Sequence, residues 1–203
     1  MIPPVGLILA GGLSRRMGGG DKTLRALGGK SILARVVERL RPQVDPVLLN
    51  ANGPAARFGL DLPVVPDTLA HTPGPLAGIL AGLDHVARHF PDARYMLSVP
   101  ADCPFLPVDL APRLLAGLGT ARAAFAQSGR RAHPVVGLWD VELREALRAL
   151  LVDEDIRRVD RWTQRAAAVA VEWPALPYDP FFNVNTPDDL IEAERLLNSY
   201  PDI

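Results

Sequence analysis

Residues 5–22 read VGLILAGGLSRRMGGGDK, a short apolar run followed by a loop rich in glycine and basic residues. Residues 5–10 contain no charged side chain and predict a strand buried on both faces, as in a parallel sheet. The five glycines among residues 11–22 permit unusual backbone conformations and let main-chain N–H groups approach a ligand. Arg15, Arg16 and Lys22 add positive charge, so this loop is predicted to cradle several phosphates.

The rest of the chain alternates short apolar runs with amphipathic helical patterns. Further strands are predicted at residues 47–50, 63–65, 95–99, 121–126, 134–139 and 168–172. Helices are predicted at residues 31–41, 75–90 and 141–151, and a last helix begins with Thr186 as N-cap and Asp189 closing a capping box. This alternation predicts an α/β fold, a three-layer α/β/α Rossmann-like sandwich around a mostly parallel sheet. No linker is evident, so residues 1–203 are expected to form a single domain.

The composition excludes several classes of protein. The chain has 203 residues, of which 48% are hydrophobic and 22% charged, as in an ordinary globular protein and unlike a disordered one. The net charge of −1 provides no general field for nucleic acid or anionic membrane, and neither is expected as a partner. The single cysteine favours a reducing compartment, and the first apolar run is too short for a signal or a membrane span. We therefore expect a soluble cytoplasmic protein.

The spacing in the glycine-rich loop excludes two common phosphate-binding motifs. A Walker loop needs glycine directly before its lysine, and Asp21 occupies that place. A dinucleotide fingerprint counted from Gly18 would need its third glycine where Thr23 stands. Lys22 and Lys30 are the only lysines among 22 basic residues. We interpret Lys22 as a residue whose compact ammonium group matters, with chance placement as the alternative.

Polar residues that follow the predicted strands are candidates for a binding site, because ligands of open α/β sheets lie at the carboxyl ends of the strands. Asn50 and Asp67 occupy such places, and so does Asp102, whose carboxylate suits Mg²⁺. Gly78 lies in the first turns of a predicted helix, where glycine costs about 1 kcal/mol relative to alanine. Its presence indicates close approach by a ligand or by another backbone.

The stretch LAGGLSRRMGGGDK at residues 9–22 resembles the signature of nucleotidyltransferases with the nucleotide-diphospho-sugar transferase fold. Within that superfamily it is most similar to the molybdenum cofactor guanylyltransferase family. Later blocks resemble the same family in order, among them TPGPLAGI, AHPVVGLW and FFNVNTPDDL, so the resemblance covers residues 6 to about 197. It implies transfer of GMP from GTP to the terminal phosphate of molybdopterin, metal-loaded or not, with release of pyrophosphate. The resemblance also implies proteins that deliver or accept the cofactor as partners.

The resemblance also implies roles for individual residues. Arg16 and Lys22 would hold the triphosphate, Asp102 would bind Mg²⁺, and Asn183 and Asn185 would hold the pterin acceptor. The implied nucleotide contacts are Leu9, Ala10, Gly11, Gly12, Lys22, Asn50, Asp67, Gly78 and Asp102. For Asp67 we add the hypothesis that its carboxylate accepts the N1–H and N2–H of guanine.

Alternatives stay open at several positions. Asn50 and Asp67 also suit turns, Gly78 also suits helix packing, and Asn183 and Asn185 also suit the entry to the last helix. The competing activities are a molybdopterin cytidylyltransferase, whose relatives usually read LAAG at residues 9–12, and a sugar-phosphate nucleotidyltransferase. A regulatory GTP-binding module would need a Walker loop, which the spacing excludes.

Three further features are interpreted as structural. Cys103 is predicted to be a packed residue, since nothing near it in sequence suggests an activating base. His85 and His89 fit the polar flank of an amphipathic helix better than a metal site. The basic residues near Trp162 are predicted to form a solvated helix face, with a role in binding the pterin phosphate as the alternative; they are Arg157, Arg158, Arg161 and Arg165.

Overall fold

The computed structural model describes residues 2–11, 22–69, 74–201 and 203. Its strands are β1 (Val5–Leu9), β2 (Ala26–Leu27), β3 (Lys30–Ser31), β4 (Val47–Asn50), β5 (Val64–Val65), β6 (Tyr95–Pro100), β7 (Ala123–Ser128), β8 (Arg131–Asp140) and β9 (Val169–Trp173). Seven of them form one sheet in the order β5-β4-β1-β6-β8-β7-β9, and β2 pairs with β3 apart from it. The helices are α1 (Ile32–Leu40), α2 (Pro75–His89), α3 (Leu110–Gly117), α4 (Arg144–Val152), α5 (Val159–Arg165) and α6 (Pro187–Ser199).

The helices cover both faces of the seven-stranded sheet. Successive residues of β1 point to opposite faces, as expected of a strand, so Ile8 belongs to the core beneath α1 and α3 while Leu7 belongs to the core beneath α2, α4 and α5. Both side chains are fully buried, which explains why this run contains no polar residue. A third, smaller core joins α6 to the β2–β3 hairpin and to the start of α1. The predicted three-layer α/β/α architecture is confirmed.

The sheet is mostly parallel, as predicted, with β8 running against both of its neighbours. A two-residue turn joins β7 to β8, and its residues Gly129 and Arg130 both have positive φ, at 51° and 70°. Such a turn forces an antiparallel hairpin, because parallel neighbours need a long crossover. The remaining pairs of the sheet are parallel, and the strands β5, β4, β1 and β6 end at a common carboxyl edge.

Both predicted helix caps are confirmed. The Ser31 side chain accepts a hydrogen bond from the Ala34 N–H at the start of α1. At the start of α6, Thr186 and Asp189 form the reciprocal capping box, with Pro187 in the first turn. These caps satisfy N–H groups that a helix start otherwise leaves without partners. The start of α6 follows Asn185, which contacts Lys22 in the candidate site.

One helix was not predicted, and another coincides with part of the basic stretch. α3 lies in a stretch for which no helix is predicted, and α5 covers part of the basic stretch. In α5, Trp162 is fully buried, whereas Arg158 pairs at the surface with Asp160, so the predicted solvated helix face is confirmed. Among the described residues, no helix has the length and apolar character needed to cross a membrane.

Candidate active site

The carboxyl edge of the sheet brings four strand ends into one row. Hydrogen bonds join them: the Ala10 N–H donates to the Asn50 carbonyl at 2.8 Å, and the Ala101 N–H donates to the Leu9 carbonyl at 3.1 Å. Because β1 lies between β4 and β6, the loop after β1 starts between Asn50 on one side and Asp102 on the other. The predicted nucleotide contacts Leu9, Ala10 and Gly11 therefore lie at the centre of this row.

Lys22 and Asp102 form the central contact of the site. The Lys22 Nζ lies 2.5 Å from the Asp102 Oδ2 and also 2.5 Å from the Asn185 Oδ1. The other carboxylate oxygen of Asp102, Oδ1, accepts a hydrogen bond of 2.8 Å from the Asn183 amide. Four residues predicted from three distant parts of the sequence thus meet at one point.

Partial burial makes this cluster electrostatically significant. The side chain of Asp102 is 12% exposed and that of Lys22 is 18% exposed, so each charge is shielded from water and balanced by the other. In such a place an ammonium group and a carboxylate interact more strongly than at the open surface. The cluster can bind an anion at Lys22 and a cation at Asp102, the two charges that a metal-bound polyphosphate presents.

The segment that carries both asparagines is held in place by its backbone. The Val184 N–H donates to the Asp102 carbonyl at 2.9 Å, and the Asn185 N–H donates to the Asp189 carboxylate at 2.8 Å. Burial acts to raise the pKa of Asp189, but hydrogen bonds from Asn185 and Thr186 outweigh it and hold that pKa below its ordinary value. Asp189 is therefore ionised at neutral pH and keeps accepting from the backbone of Asn185.

A second polar group lies further along the edge, around Asp67. One oxygen of its carboxylate accepts from the Asn50 amide at 2.9 Å, and the other accepts from the Asn52 amide at 2.9 Å. The Asp67 N–H donates in return to the Asn52 Oδ1 at 3.0 Å. The carboxylate is thus fixed by two amides, while each oxygen keeps a lone pair for a ligand.

Close packing around Gly78 leaves no room for a side chain at this position. A Cβ at this position would overlap the Asn50 Oδ1 and would lie 2.8 Å from Leu9. α2 therefore packs directly on the side chains of Asn50 and Leu9, whereas the sequence analysis expected a ligand or another backbone; this contact fits the alternative of helix packing. Gly11 faces the same Asn50 oxygen, which would lie 3.7 Å from an added Cβ.

Some predicted site residues are not part of this geometry. Gly12 and Arg16 lie outside the described residues. The imidazoles of His85 and His89 are 4.3 Å apart, and in the described part of the chain no three side chains of the His, Cys, Asp and Glu types are grouped to hold a metal. Arg165, at the end of the basic stretch, pairs with Glu154 at 2.5 Å.

Sequence reasoning missed two sets of residues. Asn52 fixes the Asp67 carboxylate, and its signal was the second asparagine of LLNAN. The second set is a polar cluster of the buried Ser128 and His133 with the partly exposed Asp179, next to the segment that carries Asn183. Its signal was the histidine of AHPVVGLW, since a polar residue within an apolar strand needs a buried partner.

The thiol of Cys103 is inert in this structure. Cys103 is buried, and burial, aided by the charges of Asp102 and Asp179, raises the pKa of its thiol well above the ordinary range. Since the thiolate is the reactive form, we expect no modification of the native protein by a thiol reagent at pH 7. In urea the same reagent should modify one thiol per chain, the single cysteine of the sequence. Stoichiometric labelling of the folded protein would contradict this prediction.

The fold and this edge of the sheet are those of a nucleotidyltransferase. Residues 6–168 match the family model described as "MobA-like NTP transferase domain", and the chain belongs to this family. The protein is therefore an enzyme of the nucleotidyltransferase class, and the resemblance inferred from residues 9–22 is confirmed.

Within this family, the chain is 58% identical over 194 residues to "Molybdenum cofactor guanylyltransferase" of Bradyrhizobium sp. (strain ORS 278). The match covers 94% of this chain and 92% of the relative, which places the chain among the molybdenum cofactor guanylyltransferases. Its fold is shared by the crystal structure of "Molybdopterin-guanine dinucleotide biosynthesis protein A" from Archaeoglobus fulgidus, with a TM-score of 0.74, 24% identity and coverage of 96% and 99% of the two chains. A Mycobacterium tuberculosis protein solved as a complex with manganese has the same fold, with a TM-score of 0.70, 18% identity and coverage of 95% and 98%.

Proposed function

We propose that this enzyme transfers GMP from GTP to the terminal phosphate of molybdopterin and releases pyrophosphate. The observation that carries the proposal is the contact of Lys22 with Asp102 and Asn185 at the carboxyl edge, beside the end of β1. It supports the proposal because the ammonium group proposed for the triphosphate and the carboxylate proposed for a metal are in contact. The similarity to the guanylyltransferases supplies the substrates of the proposal.

The reaction we propose is an in-line displacement at the α-phosphorus of GTP. An oxygen of the acceptor phosphate forms the new bond to phosphorus, and the bond from phosphorus to the oxygen bridging to the β-phosphate breaks. Pyrophosphate leaves with that electron pair. A phosphate monoester is already ionised at neutral pH, so no strong general base is needed, and the task of the protein is positioning and charge neutralisation.

Each side chain of the cluster has a role in this proposal. Lys22 would hold the triphosphate and stabilise the negative charge of the departing pyrophosphate, with Arg16 assisting from the same loop. Asn183 and Asn185 would hold the acceptor. Their hydrogen bonds to Asp102 and Lys22 link the acceptor end of the site directly to the nucleotide end.

The donor set at Asp102 fits a hard divalent cation. Asp102 offers carboxylate oxygens, and the neighbouring asparagines offer amide oxygens, which are the ligand types Mg²⁺ prefers. A single carboxylate suits Mg²⁺ that is held jointly by protein and substrate phosphates, and we propose Asp102 as its protein ligand. When bound there, the ion would polarise the α-phosphate and offset developing negative charge. The manganese complex of the Mycobacterium tuberculosis protein supports a divalent metal in this fold.

We propose that Asp67 selects the guanine base. Its two carboxylate oxygens, held by Asn50 and Asn52, would accept the N1–H and N2–H of guanine, donors that cytosine lacks in this arrangement. Leu9, Ala10, Gly11, Gly12 and Gly78 complete the proposed nucleotide contacts. In this proposal Gly78 acts by letting the Asn50 side chain lie close to α2.

Asp67→Asn is expected to weaken guanine selection, because an amide cannot accept both guanine donors. We expect the ratio of kcat/KM for GTP to that for CTP to fall ~10- to 100-fold, the discrimination typical of a bidentate base contact. Asp61→Asn, at an exposed aspartate before β5, is the matched control and should leave the ratio unchanged. An unchanged ratio in Asp67→Asn would remove this residue from base recognition.

The proposed function is tested by incubating the protein with Mg²⁺, molybdopterin and each nucleoside triphosphate in turn, and measuring pyrophosphate release. We expect release with GTP. A preference for CTP would assign the cytidylyltransferase activity instead. The same assay is repeated with a sugar phosphate in place of molybdopterin. Pyrophosphate release with the sugar phosphate but not with molybdopterin would assign a sugar-phosphate nucleotidyltransferase activity. No release with any pair would overturn the proposal.

We propose further that the enzyme acts in the cytoplasm as one domain spanning residues 1–203. The buried, unpaired Cys103 fits a reducing compartment. The family match ends at residue 168, yet Asn183 and Asn185 beyond it enter the site and Ala193 of α6 packs in a core with Ile32. Proteins that deliver molybdopterin or receive the product belong to this proposal as partners, and neither nucleic acid nor membrane does.

A further inference from the structure

A polar cluster of two buried side chains, Ser128 and His133, and the partly exposed Asp179 lies next to the segment that carries Asn183. The Ser128 hydroxyl, at the end of β7, is 2.7 Å from the His133 Nε2 on β8 and donates to the Asp179 Oδ1 at 2.8 Å. Ser128 is 2% exposed and His133 is 8% exposed. The cluster joins the β7–β8 hairpin to the segment between β9 and α6.

The hydrogen atoms of this cluster can be assigned. The single hydroxyl hydrogen of Ser128 goes to Asp179, whose carboxylate has none to give. The Ser128 oxygen must therefore accept, and the His133 Nε2 carries the hydrogen it accepts. Burial lowers the pKa of His133, against the opposing effect of the Asp179 carboxylate, so the imidazole is neutral at pH 7. The order His133 to Ser128 to Asp179 is thus a one-way chain of donors.

This arrangement differs from that of a hydrolytic serine. A nucleophilic serine donates its hydrogen to the histidine, whereas here the histidine donates to the serine. Ser128 is also almost fully buried, which leaves its oxygen little access to a substrate. The cluster therefore has a use other than attack on a substrate.

Asp179, the last residue of this chain of hydrogen bonds, also contacts the backbone just before Asn183 and Asn185. The Asp179 Oδ1 that accepts from Ser128 also accepts from the Phe181 N–H at 2.9 Å. The His133 ring packs against the Phe181 ring with centroids 4.8 Å apart. The Cys103 thiol approaches the Phe181 carbonyl at 3.6 Å, next to Asp102 in sequence. Phe181 is thus fixed from three sides.

Fixing Phe181 fixes the residues that follow it. Asn183 is two residues further on and donates to Asp102, and the Val184 N–H between the two asparagines donates to the Asp102 carbonyl. We propose that Ser128, His133 and Asp179 are positioning residues that set the segment 181–185, and through it Asn183 and Asn185, for binding of the acceptor phosphate ester. This inference rests on the proposed function, since it assigns the acceptor end of that same site.

The test compares Ser128→Ala with Ser98→Ala, a matched buried serine. Ser98 also lies in the sheet and donates to a backbone carbonyl, that of Val135, but it does not contact the segment 181–185. In Ser128→Ala we expect the KM for molybdopterin to rise about tenfold, with the KM for GTP changed less than about twofold, because only the acceptor end is released. Ser98→Ala should show no such split between the two constants.

His133 provides a conservative rescue. In His133→Gln the amide Nε2 can still donate to the Ser128 oxygen, whereas His133→Leu removes the donor. We expect the KM for molybdopterin of His133→Gln to stay close to that of the unmodified enzyme. In His133→Leu the same KM should rise as it does in Ser128→Ala. The inference would be overturned if His133→Gln and His133→Leu had the same KM for molybdopterin. It would also be overturned if the KM for GTP rose as much as the KM for molybdopterin.

Amide hydrogen exchange tests this inference independently of the proposed function, because it reports on the segment 181–185 without requiring activity. The amides of Phe181 and Val184 should exchange faster in Ser128→Ala than in the unmodified enzyme, and Ser98→Ala should leave them unchanged. If the unmodified enzyme releases no pyrophosphate from GTP and molybdopterin, the proposed function fails, and exchange alone decides whether the cluster holds the segment. If the enzyme is active and neither exchange nor the molybdopterin KM responds, the inference fails.

Discussion

Replacing Asp102 by alanine is expected to remove almost all metal-dependent turnover while the protein stays folded. A metal ion that polarises a phosphoryl oxygen stabilises the transition state by several kcal/mol, and about 1.4 kcal/mol corresponds to tenfold in rate. We therefore expect kcat with saturating GTP and Mg²⁺ to fall ~10³-fold. The change also removes the acceptor of the Lys22 and Asn183 hydrogen bonds, so added Mg²⁺ should not restore the rate.

Asp84→Ala is the matched control for this experiment. The Asp84 side chain is 15% exposed and pairs with Arg148 at 2.7 Å, so its burial and its cationic partner resemble those of Asp102. It joins α2 to α4, and its loss should lower the melting temperature without reducing kcat. Circular dichroism and pyrophosphate release measured on both variants separate the two effects. Turnover near the unmodified level in Asp102→Ala would exclude Asp102 as the metal ligand.

Much of the fold was predictable because the main sheet is buried on both faces. The apolar residues of β1 and residues 47–49 of β4 need to be covered on both faces, and the positions of both strands agree closely with prediction. The cap of α6 was predictable for a different reason, since a Thr-Pro-x-Asp sequence satisfies the first N–H groups locally. Where the decisive interactions are local or periodic, the sequence is sufficient.

The differences arise where a signal is weak or misleading. α3 contains Pro112 in its first turn, where proline is tolerated although it suggests a helix break. The β7–β8 turn places a non-glycine residue, Arg130, at positive φ, so the usual Asn-Gly or Asp-Gly signal is missing. Such conformations depend on the surrounding sheet, which sequence patterns do not describe.

The candidate site likewise contains residues that the sequence identified and residues that it did not. Asn50, Asp67 and Asp102 were identifiable because each follows a predicted parallel strand, and parallel strands bring their carboxyl ends together. The hydrogen bond between Asp102 and Asn183 spans 81 residues and was not predicted; family resemblance gave each residue a separate role. Ser128 and Asp179 were missed because they lie next to the segment that carries Asn183, in contacts that no spacing in the sequence encodes.

Lys22→Arg is the second change with a large expected effect, and it tests whether shape rather than charge matters. The Lys22 ammonium donates to the Asp102 carboxylate and to the Asn185 amide oxygen, both at 2.5 Å, from a single nitrogen. A guanidinium is planar and spreads its donors over a fork, so it cannot converge on both oxygens and a phosphate at the same point. We expect kcat/KM for GTP to fall ~10²-fold, as when one donor to a developing anion is lost.

The chain offers its own control for this change, since Lys30 is its other lysine. Lys30 is 54% exposed and donates to both carboxylate oxygens of Glu38, at 2.8 and 2.9 Å, a geometry that a guanidinium fork reproduces. Lys30→Arg should therefore keep full activity, although it makes the same chemical change. If Lys22→Arg also keeps full activity, positive charge alone suffices at position 22. In that case, the scarcity of lysine among the basic residues has no bearing on catalysis.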